Sequence, residues 1–281
     1  MEVSLEEIAR CNRFNPAYYE PQFLEIENKL ETIGAKPIDR FIPAKHPDGA
    51  KGITYGQVGS RDLTPRGAVR YLQVINIRET GIDFAIKPDR VAENSDNDPA
   101  RSRVQKDDIL FSNTAFRGTE TLIGRCVVVH REYGKLNISQ DIDRIRVAGA
   151  NPYYVGTYLK TSLAQMQMRR RLHGVDSQKI NFGQVRSLLI PDLADNQQDE
   201  VERQYVEMAA AHDRAMAIKE RLLQESQIEP GQYGEAINRL ADGKPAYRRN
   251  MEEAKRRLDH LLAELVAVIE GRQKKLKPFP G

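Results

Sequence analysis

Two runs of apolar residues in the last third of the chain repeat with a spacing that averages 3.5 residues. The first runs from Val201 to Leu222 and the second from Tyr247 to Val268, stepping alternately by four and three positions. Because this spacing keeps one stripe of a helix apolar over three heptads, it predicts two long helices of the coiled-coil kind. Pro and Gly residues interrupt the sequence between them, which predicts a shorter helical piece around residues 234–240.

The predicted seam has two possible partners. It can pair with the other helix of the same chain, in an antiparallel hairpin, or with a second chain, in a homodimer. The spacing leaves these alternatives open. The residues predicted to contact a partner helix are Val201, Tyr205, Met208, Leu222, Met251, Leu258, Leu261, Leu265 and Val268.

The middle of the chain has a different pattern, in which short apolar runs are separated by turn residues. Residues 68–77, 108–112 and 122–130 are rich in β-branched and aromatic side chains, which predicts strands. Residues 142–147 alternate apolar and polar side chains, which predicts a strand with one exposed face. Together with a helix predicted over residues 153–172, these strands indicate an α+β domain.

Three regions follow from these patterns. Residues 1–35 are predicted to form N-terminal helices that pack on the central domain, with the second helix starting near Pro21 and ending at Gly34. Residues 36–195 are predicted to form the globular domain, and residues 196–281 a helical arm. A length of 281 residues accommodates this division.

Composition excludes several classes of protein. No run approaches the roughly 20 apolar residues of a membrane-spanning helix, and the N-terminus is acidic where a secretory signal would be basic. Cys11 and Cys126 are the only cysteines, too few for a disulfide framework or a thiolate zinc site. We therefore expect a soluble, cytoplasmic protein without a membrane partner.

Sequence motifs of catalysis are also missing. There is no phosphate-binding loop and no dinucleotide fingerprint, and the five histidines are dispersed, so no metal site is predicted. Asn15-Pro16-Ala17-Tyr18 resembles the active-site tetrapeptide of amino-methyltransferases. However, the glycine-rich loop that would hold S-adenosylmethionine is absent, and a turn is the better interpretation. No catalytic residue and no cofactor of this chain is predicted.

Charge is concentrated in the middle of the chain. Residues 36–190 carry 25 basic and 16 acidic side chains, a net charge of +9, whereas the whole chain is only +3. A basic domain of this kind is typical of a protein with an anionic partner, although a solvated surface can explain it as well. Most of the positive charge is arginine, whose planar fork can bridge the acceptors of guanine or hold a phosphate.

Candidate DNA contacts lie in the long polar loops and at strand ends of this basic region. Arginine and lysine supply phosphate or guanine contacts, and the amides and hydroxyls supply base or phosphate contacts. These candidates are Tyr55, Gln57, Arg61, Arg66, Asn76, Arg78, Ser112, Asn113, Thr114, Arg117, Arg169, Arg170, Arg171, Gln178, Lys179 and Asn181. With no tryptophan, duplex grooves are favoured over stacking on single strands.

The order of several short motifs resembles a known family. Gly52–Gly56 and Val69–Ile77 are followed by Val104–Ser112, then by Leu136–Gln140, and finally by Ile180-Asn181-Phe182 ahead of a long helix. This order is similar to that of the DNA-specificity subunit of type I restriction–modification systems. The resemblance covers about residues 36–225.

The resemblance implies a fold and a function. The fold is one globular target-recognition domain with a mixed or antiparallel sheet, followed by long C-terminal coiled-coil helices. The function is non-catalytic recognition of double-stranded DNA, which targets a partner adenine methyltransferase, and possibly a motor-nuclease, to a bipartite site. S-adenosylmethionine is then expected in the methyltransferase. Typical members carry two recognition domains, so this single-domain chain is expected to act as a homodimer. The alternative is a coiled-coil scaffold protein whose basic domain is merely solvated.

Overall fold

The computed structural model describes residues 16–57, 63, 66–116, 123–172, 177–226, 228 and 233–281. Seven α-helices occur in these ranges. They are α1 (Pro21–Thr32), α2 (Pro152–Lys160), α3 (Ser162–Arg171), α4 (Phe182–Arg186), α5 (Asp195–Glu225), α6 (Tyr233–Asp242) and α7 (Pro245–Ile269). The predicted N-terminal helix that precedes α1 lies outside the described residues.

The same ranges contain eleven short strands. They are β1 (Lys36–Pro37), β2 (Ile53–Tyr55), β3 (Val69–Leu72), β4 (Arg90–Val91), β5 (Ile109–Ser112), β6 (Thr114–Phe116), β7 (Cys126–Val128), β8 (Leu136–Ile138), β9 (Ile142–Ile145), β10 (Ser177–Lys179) and β11 (Leu189–Ile190). The strands form an antiparallel sheet in the order β2-β9-β5-β7, a mixed sheet in the order β4-β3-β8, and the antiparallel pairs β1-β11 and β6-β10. The α+β class with mixed and antiparallel sheets and long C-terminal helices is confirmed.

The four-stranded sheet is buried on both faces. Alternate residues of β5 point to opposite sides, so that Ile109 and Phe111 pack with the helices while Leu110 packs with the three-stranded sheet. Strand β9 is sandwiched in the same way and all four of its residues are buried. The prediction that residues 142–147 form a half-exposed strand was therefore wrong, because the polar residues in β9 face protein rather than solvent.

The two heptad helices pair with each other within the chain. Helices α5 and α7 are antiparallel, as shown by the ion pairs Arg257–Glu207 at 2.9 Å and Arg214–Glu253 at 2.9 Å. Most of the seam is buried in this contact or against the domain, including Val201, Tyr205, Met208, Leu258, Leu261 and Leu265. Of the two partners left open by the spacing, the structure shows the helix of the same chain, since the hairpin covers these residues. Leu222, Met251 and Val268 are partly buried and pack against the same clusters.

Helix α5 lies along the domain over most of its length instead of extending away from it. Near its start, the Gln198 side chain accepts a hydrogen bond from the Asn151 backbone N–H at 2.8 Å. Further along, the Tyr205 hydroxyl accepts from the Val128 N–H at 2.8 Å, and Lys219 pairs with Asp83 at 2.6 Å. The predicted arm at residues 196–281 therefore shares its packing with the domain of residues 36–195.

The predicted helix over residues 153–172 is two helices. Thr161 has an extended backbone with ψ at 156°, and its side-chain oxygen accepts from the backbone N–H of Ala164. A threonine in this position caps a new helix, which explains the break. The helix predicted from Pro21 is confirmed, and Gly34 follows it with φ at +77°, a conformation that favours glycine.

No helix among the described ranges is both long enough and apolar enough to span a bilayer.

Candidate nucleic-acid interface

An open groove lies where three strands of the four-stranded sheet begin or end. Strand β2 ends there at Tyr55, β5 ends at Ser112, and β9 begins at Ile142, because β9 is antiparallel to both neighbours. The groove has a volume of about 530 Å³. Its lining comes from separate parts of the chain, namely Tyr55, Asn113, Thr114, Gln140, Asp141, Asp143, Lys179, Ile180, Asn181, Phe182 and Gly183. The fold thus brings together five residues that the sequence predicts as DNA contacts.

Two aromatic rings form one side of this groove. The Tyr55 side chain is 50% exposed, and its ring centre lies 5.8 Å from that of Phe182 at an angle of 41°. Phe182 is the first residue of α4. The Asn181 side chain caps that helix by accepting from the Gln184 N–H at 3.0 Å, and the Gln184 side chain accepts from the Asn181 N–H at 2.8 Å. This reciprocal cap holds the loop that carries Phe182 in place.

Polar side chains form the other side and the floor. The Asn113 amide donates to Asp143 Oδ1 at 2.6 Å and to the Gln140 carbonyl at 3.2 Å, while its oxygen accepts from the Thr114 hydroxyl at 2.7 Å. Both donors of Asn113 are therefore used inside the protein, and Thr114 is buried. Gln140, Lys179 and Asn181 are exposed, so their side chains are the ones in the groove that can reach a ligand directly.

Asp143 is the unusual residue of the floor. It is fully buried, yet its Oδ2 atom has no hydrogen-bond partner among the described residues. Burial raises the pKa of this carboxyl to about 7, and the hydrogen bond from Asn113 opposes the shift only in part. The next residue, Arg144, faces the opposite side of β9 and donates to the Lys51 carbonyl at 3.0 Å.

The remaining predicted contacts lie around or away from the groove. Gln57 follows β2, pairs with Ser139, and accepts from the Arg101 guanidinium at 2.9 Å through its side chain. Gln178 is half-buried in β10, next to the exposed Lys179, while Arg66 and Arg169 are exposed. Arg61 and Arg117 lie outside the described residues.

Arg78 belongs to a second basic cluster. It lies near Arg125, and burial together with the charge of Arg78 lowers the pKa of Arg125. Arg125 also lines a cavity of about 250 Å³ with Lys160 and Lys255. Neither Arg78 nor Arg125 has an acidic partner within 4 Å in the part of the chain that the structure describes. Glu79 and Asp259 line the same cavity, and the Glu79 charge acts on Arg125 from beyond ion-pair distance. The cluster therefore combines basic and acidic groups, of which the two guanidinium groups can attract an anion such as a phosphate.

Four predicted contacts are corrected because their side chains are used in the interior. Asn76 is fully buried, where its amide donates to the carbonyls of Asp83 and Lys87 and its oxygen accepts from the Gln73 N–H. Ser112 is also fully buried and donates to the Thr114 carbonyl at 3.1 Å. These two residues shape loops and do not reach DNA.

Arg170 and Arg171 are the other two corrections. Both guanidinium groups bind the Glu27 carboxylate of α1, and both side chains are largely buried. Arg171 Nε also donates to the Ser187 hydroxyl at 3.0 Å. The three-arginine run looked like an exposed phosphate contact, but two of its members face inward and hold α1 on α3.

Sequence reasoning missed Phe182, Gln140, Asp143 and Arg101 as groove or rim residues. Phe182 and Gln140 lie in the motifs Ile180-Asn181-Phe182 and Leu136–Gln140, so membership of these motifs could have identified them as candidate contacts. Asp143 was not selected because the alternation in β9 predicted that its charged residues are exposed to solvent, whereas Asp143 is buried. Arg101 is isolated in sequence from every other candidate.

Comparison with known proteins finds matches among solved structures but none among family models or curated sequences. Among solved structures, the S subunit of a type I restriction-modification system from M. genitalium is 14% identical, with a TM-score of 0.41. The chain resembles S subunits. This match covers 68% of this chain and 43% of the S subunit.

A second match comes from a structure of the type I restriction-modification system that addresses complex assembly and conformational transition. It is 12% identical with a TM-score of 0.39, and it covers 90% of this chain and 56% of the other. This chain therefore spans about half the length of the two structures that it matches.

Proposed function

We propose that this chain recognises double-stranded DNA in a sequence-specific manner and has no catalytic activity of its own. One observation carries the proposal: residues from β2, the β5–β6 turn and the β10–α4 connection converge on a single open groove. They come from positions more than 100 residues apart, 55 and 179 for example. Five of them have side chains of the types predicted from the sequence to contact bases or phosphates.

The exposed side chains of the groove suit a nucleic acid. Gln140 and Asn181 carry amides, which can bind base edges as donor or acceptor and phosphates as donor. Lys179 supplies a positive charge that no acidic residue within 4 Å neutralises in the described ranges. Arg66, Arg101 and the Arg78–Arg125 cluster supply further positive charge, and phosphate contacts of this kind position a protein on DNA without reading sequence.

The finer features of this function rest on the motif order. We propose that the chain directs a partner adenine methyltransferase to its site, that a motor-nuclease subunit joins the complex, and that S-adenosylmethionine is bound by the methyltransferase. One recognition domain reads one half of a bipartite site, so a pair of chains would read both halves. Because the heptad seam is closed within the chain, such a homodimer would form through another surface.

The test is DNA binding measured by fluorescence anisotropy over a range of salt concentrations, with duplexes selected from a random library. We expect enrichment of a defined sequence and a linear fall of log affinity with log salt. Lys179→Ala should reduce the magnitude of that slope by about 1, the effect of one lost phosphate contact. Lys106→Ala is the matched control, since Lys106 is exposed but precedes β5 at the end opposite the groove.

Two results would contradict the proposal. Random duplexes that show no enrichment after selection would exclude sequence recognition. Equal salt slopes for Lys179→Ala, Lys106→Ala and the unmodified chain would exclude this groove as the DNA-binding face.

A further inference from the structure

The floor of the groove contains a polar atom that the protein itself does not satisfy. Asp143 is fully buried, and Asn113 donates to its Oδ1 atom, but Oδ2 has no hydrogen-bond partner among the described residues. Buried polar side-chain atoms are bonded in the large majority of cases, so an exception calls for a cause. Because Asp143 also lines the groove, a ligand placed there can provide the missing partner.

The surroundings of Asp143 indicate which ligand group fits. Its neighbours across the sheet are Tyr55 on β2 and Phe111 on β5, and neither carries a positive charge. Asp141 and the exposed Lys179 are the other charged residues of the groove lining, and neither forms an ion pair with Asp143. Oδ2 is an oxygen acceptor that no cationic side chain of the lining pairs with, and an N–H donor such as an amine on a flat ring can supply its missing hydrogen bond.

The wall of the groove provides a surface for the ring itself. Tyr55 is half-exposed, and because its ring is inclined by 41° to that of Phe182, the two rings do not cover each other. A volume of about 530 Å³ is also within the range of sites that enclose small organic ligands. A nucleobase that carries an exocyclic amine combines a flat ring with the required donor.

We propose that the groove takes up one unstacked, amine-bearing nucleobase of DNA, namely adenine, cytosine or guanine, which stacks on Tyr55 and donates from its amine to Asp143 Oδ2. This inference rests on the proposed function, because it deepens the role of the same groove. Duplex DNA held at the mouth of the groove would leave Asp143 unused, because its carboxyl lies at the floor beside Asn113, whose side chain must shift for a ligand to reach Oδ2. A base that leaves the stack can reach the floor, as in proteins that read an extruded base by its hydrogen-bonding edge.

The experiment compares two single-stranded probes in which unstacking costs little. Oligodeoxycytidylate and oligodeoxyuridylate of about 12 nucleotides differ along one edge of the base: cytosine has an exocyclic amine beside an acceptor N3, whereas uracil has a carbonyl beside an N3–H donor. At about pH 8, where Asp143 is ionised and Oδ2 can accept, we expect the unmodified chain to bind the cytidylate about tenfold more tightly, the factor of one hydrogen bond. Asp143→Asn should abolish or reverse this preference, because an amide can donate to a carbonyl.

Controls separate this inference from folding and from general DNA binding. Tyr55→Leu changes an exposed ring, and we expect it to weaken both probes alike without altering their ratio. The comparison of the two probes on the unmodified chain needs no variant, so it remains decisive if Asp143→Asn does not fold. Free deoxycytidine monophosphate should bind less tightly than the oligomer, because DNA also supplies neighbouring phosphates.

Several outcomes overturn the inference. Equal binding of the two probes, or an unchanged ratio in a folded Asp143→Asn variant, would show that Asp143 does not read an amine. Tighter binding of the free nucleotide than of the oligomer would exclude DNA as the source of the base. If duplex binding with its salt dependence persists while the probes bind equally, the inference fails and the proposed function stands. If the unmodified chain does not bind duplex DNA at all, the proposed function itself is wrong.

Discussion

Asp143 combines full burial with the absence of an ion-pair partner among the described residues. A buried carboxyl is easier to keep when it is protonated, because burial penalises the charged form. The pKa of Asp143 is accordingly raised to about 7, and its main contact with the protein is the Asn113 amide. The stability of the fold should therefore depend on pH through this one side chain.

The first prediction concerns that dependence. In the unfolded chain the pKa of an aspartate is about 3.9, so between about pH 4 and pH 7 the folded chain holds a proton that the unfolded chain has lost. Raising the pH through this window should lower the free energy of unfolding by up to about 4 kcal/mol, at 1.36 kcal/mol per pKa unit. Asp143→Asn has no such proton and should lack this decrease.

Urea denaturation of both proteins at several pH values between about 4 and 8 measures the difference. All other ionisable groups are common to both proteins, so their contributions to the pH dependence cancel in the comparison. Parallel curves for the two proteins would show that Asp143 is not the group that titrates.

Arg170 and Arg171 illustrate how a charged run can mislead. Their neighbour Arg169 is exposed, but helical spacing turns Arg170 and Arg171 toward Glu27 on α1.

The second prediction concerns this contact. Arg171→Ala should lower the free energy of unfolding by about 3 kcal/mol, because it leaves a largely buried carboxylate with one partner fewer. Arg169→Ala should change it by less than about 0.5 kcal/mol.

Thermal or urea denaturation of the two variants provides the comparison. We expect DNA affinity and its salt slope to remain unchanged in folded Arg171→Ala. A reduced salt slope in this variant, with stability unchanged, would restore the original interpretation of a phosphate contact.

At the scale of elements, the antiparallel pair α5 and α7 is the main source of helical packing. Leu261 is fully buried between them and belongs to the same core cluster as Tyr205 and Met208. The third prediction is that Leu261→Ala lowers the free energy of unfolding by about 2–5 kcal/mol through loss of buried surface and formation of a cavity. Val206→Ala is the control, since Val206 is 39% exposed on α5 and its truncation should cost little.

Denaturation measures the stability, and light scattering measures the mass. Because the seam is closed within the chain, Leu261→Ala should leave the mass in solution unchanged. A dimer that dissociates in this variant, with little loss of monomer stability, would show that the seam joins two chains.

Periodicity predicted the two long helices correctly. It did not predict whether they pair with each other or with a second chain. A heptad pattern states which face of a helix is buried, but the same face can meet a helix of its own chain or of another. Alternation in β9 likewise identified a strand, yet it misassigned the exposure of its polar residues, because both faces of β9 are covered in the fold. The groove follows the same rule: sequence identified Tyr55, Asn113 and Lys179 by type, whereas Asp143 required the three-dimensional arrangement.

On the scale of the whole molecule, the helices and the sheet share one core. Val201, Met208 and Leu265 pack in the same cluster as Ile109 and Phe111 of β5. Hydrogen bonds also join α5 to the domain farther along the helix. His212 is buried and bonds to Thr80 and Ile82, and the imidazole packs so closely on Gly81 that any larger side chain there would collide with it.

The farthest of these polar contacts is a buried ion pair. Lys219 donates to Asp83 Oδ2 at 2.6 Å and also to the Asn238 side chain, so the domain, α5 and α6 meet at one ammonium group. Asp83 Oδ1 accepts from the backbone N–H groups of Ala85 and Ile86. Breaking such a buried pair leaves an uncompensated charge, which makes partial detachment of α5 costly.

The last prediction is therefore that the helices and the sheet unfold as one unit. Native-state hydrogen exchange should give amides of α5 between Tyr205 and Lys219 the same opening free energy as amides of β5, because neither element can leave the shared core alone. Lys219→Met should lower both values together by about 3–5 kcal/mol, since it leaves the Asp83 carboxylate buried and unpaired. Amides of α5 that open well before those of β5 would instead describe an independent arm.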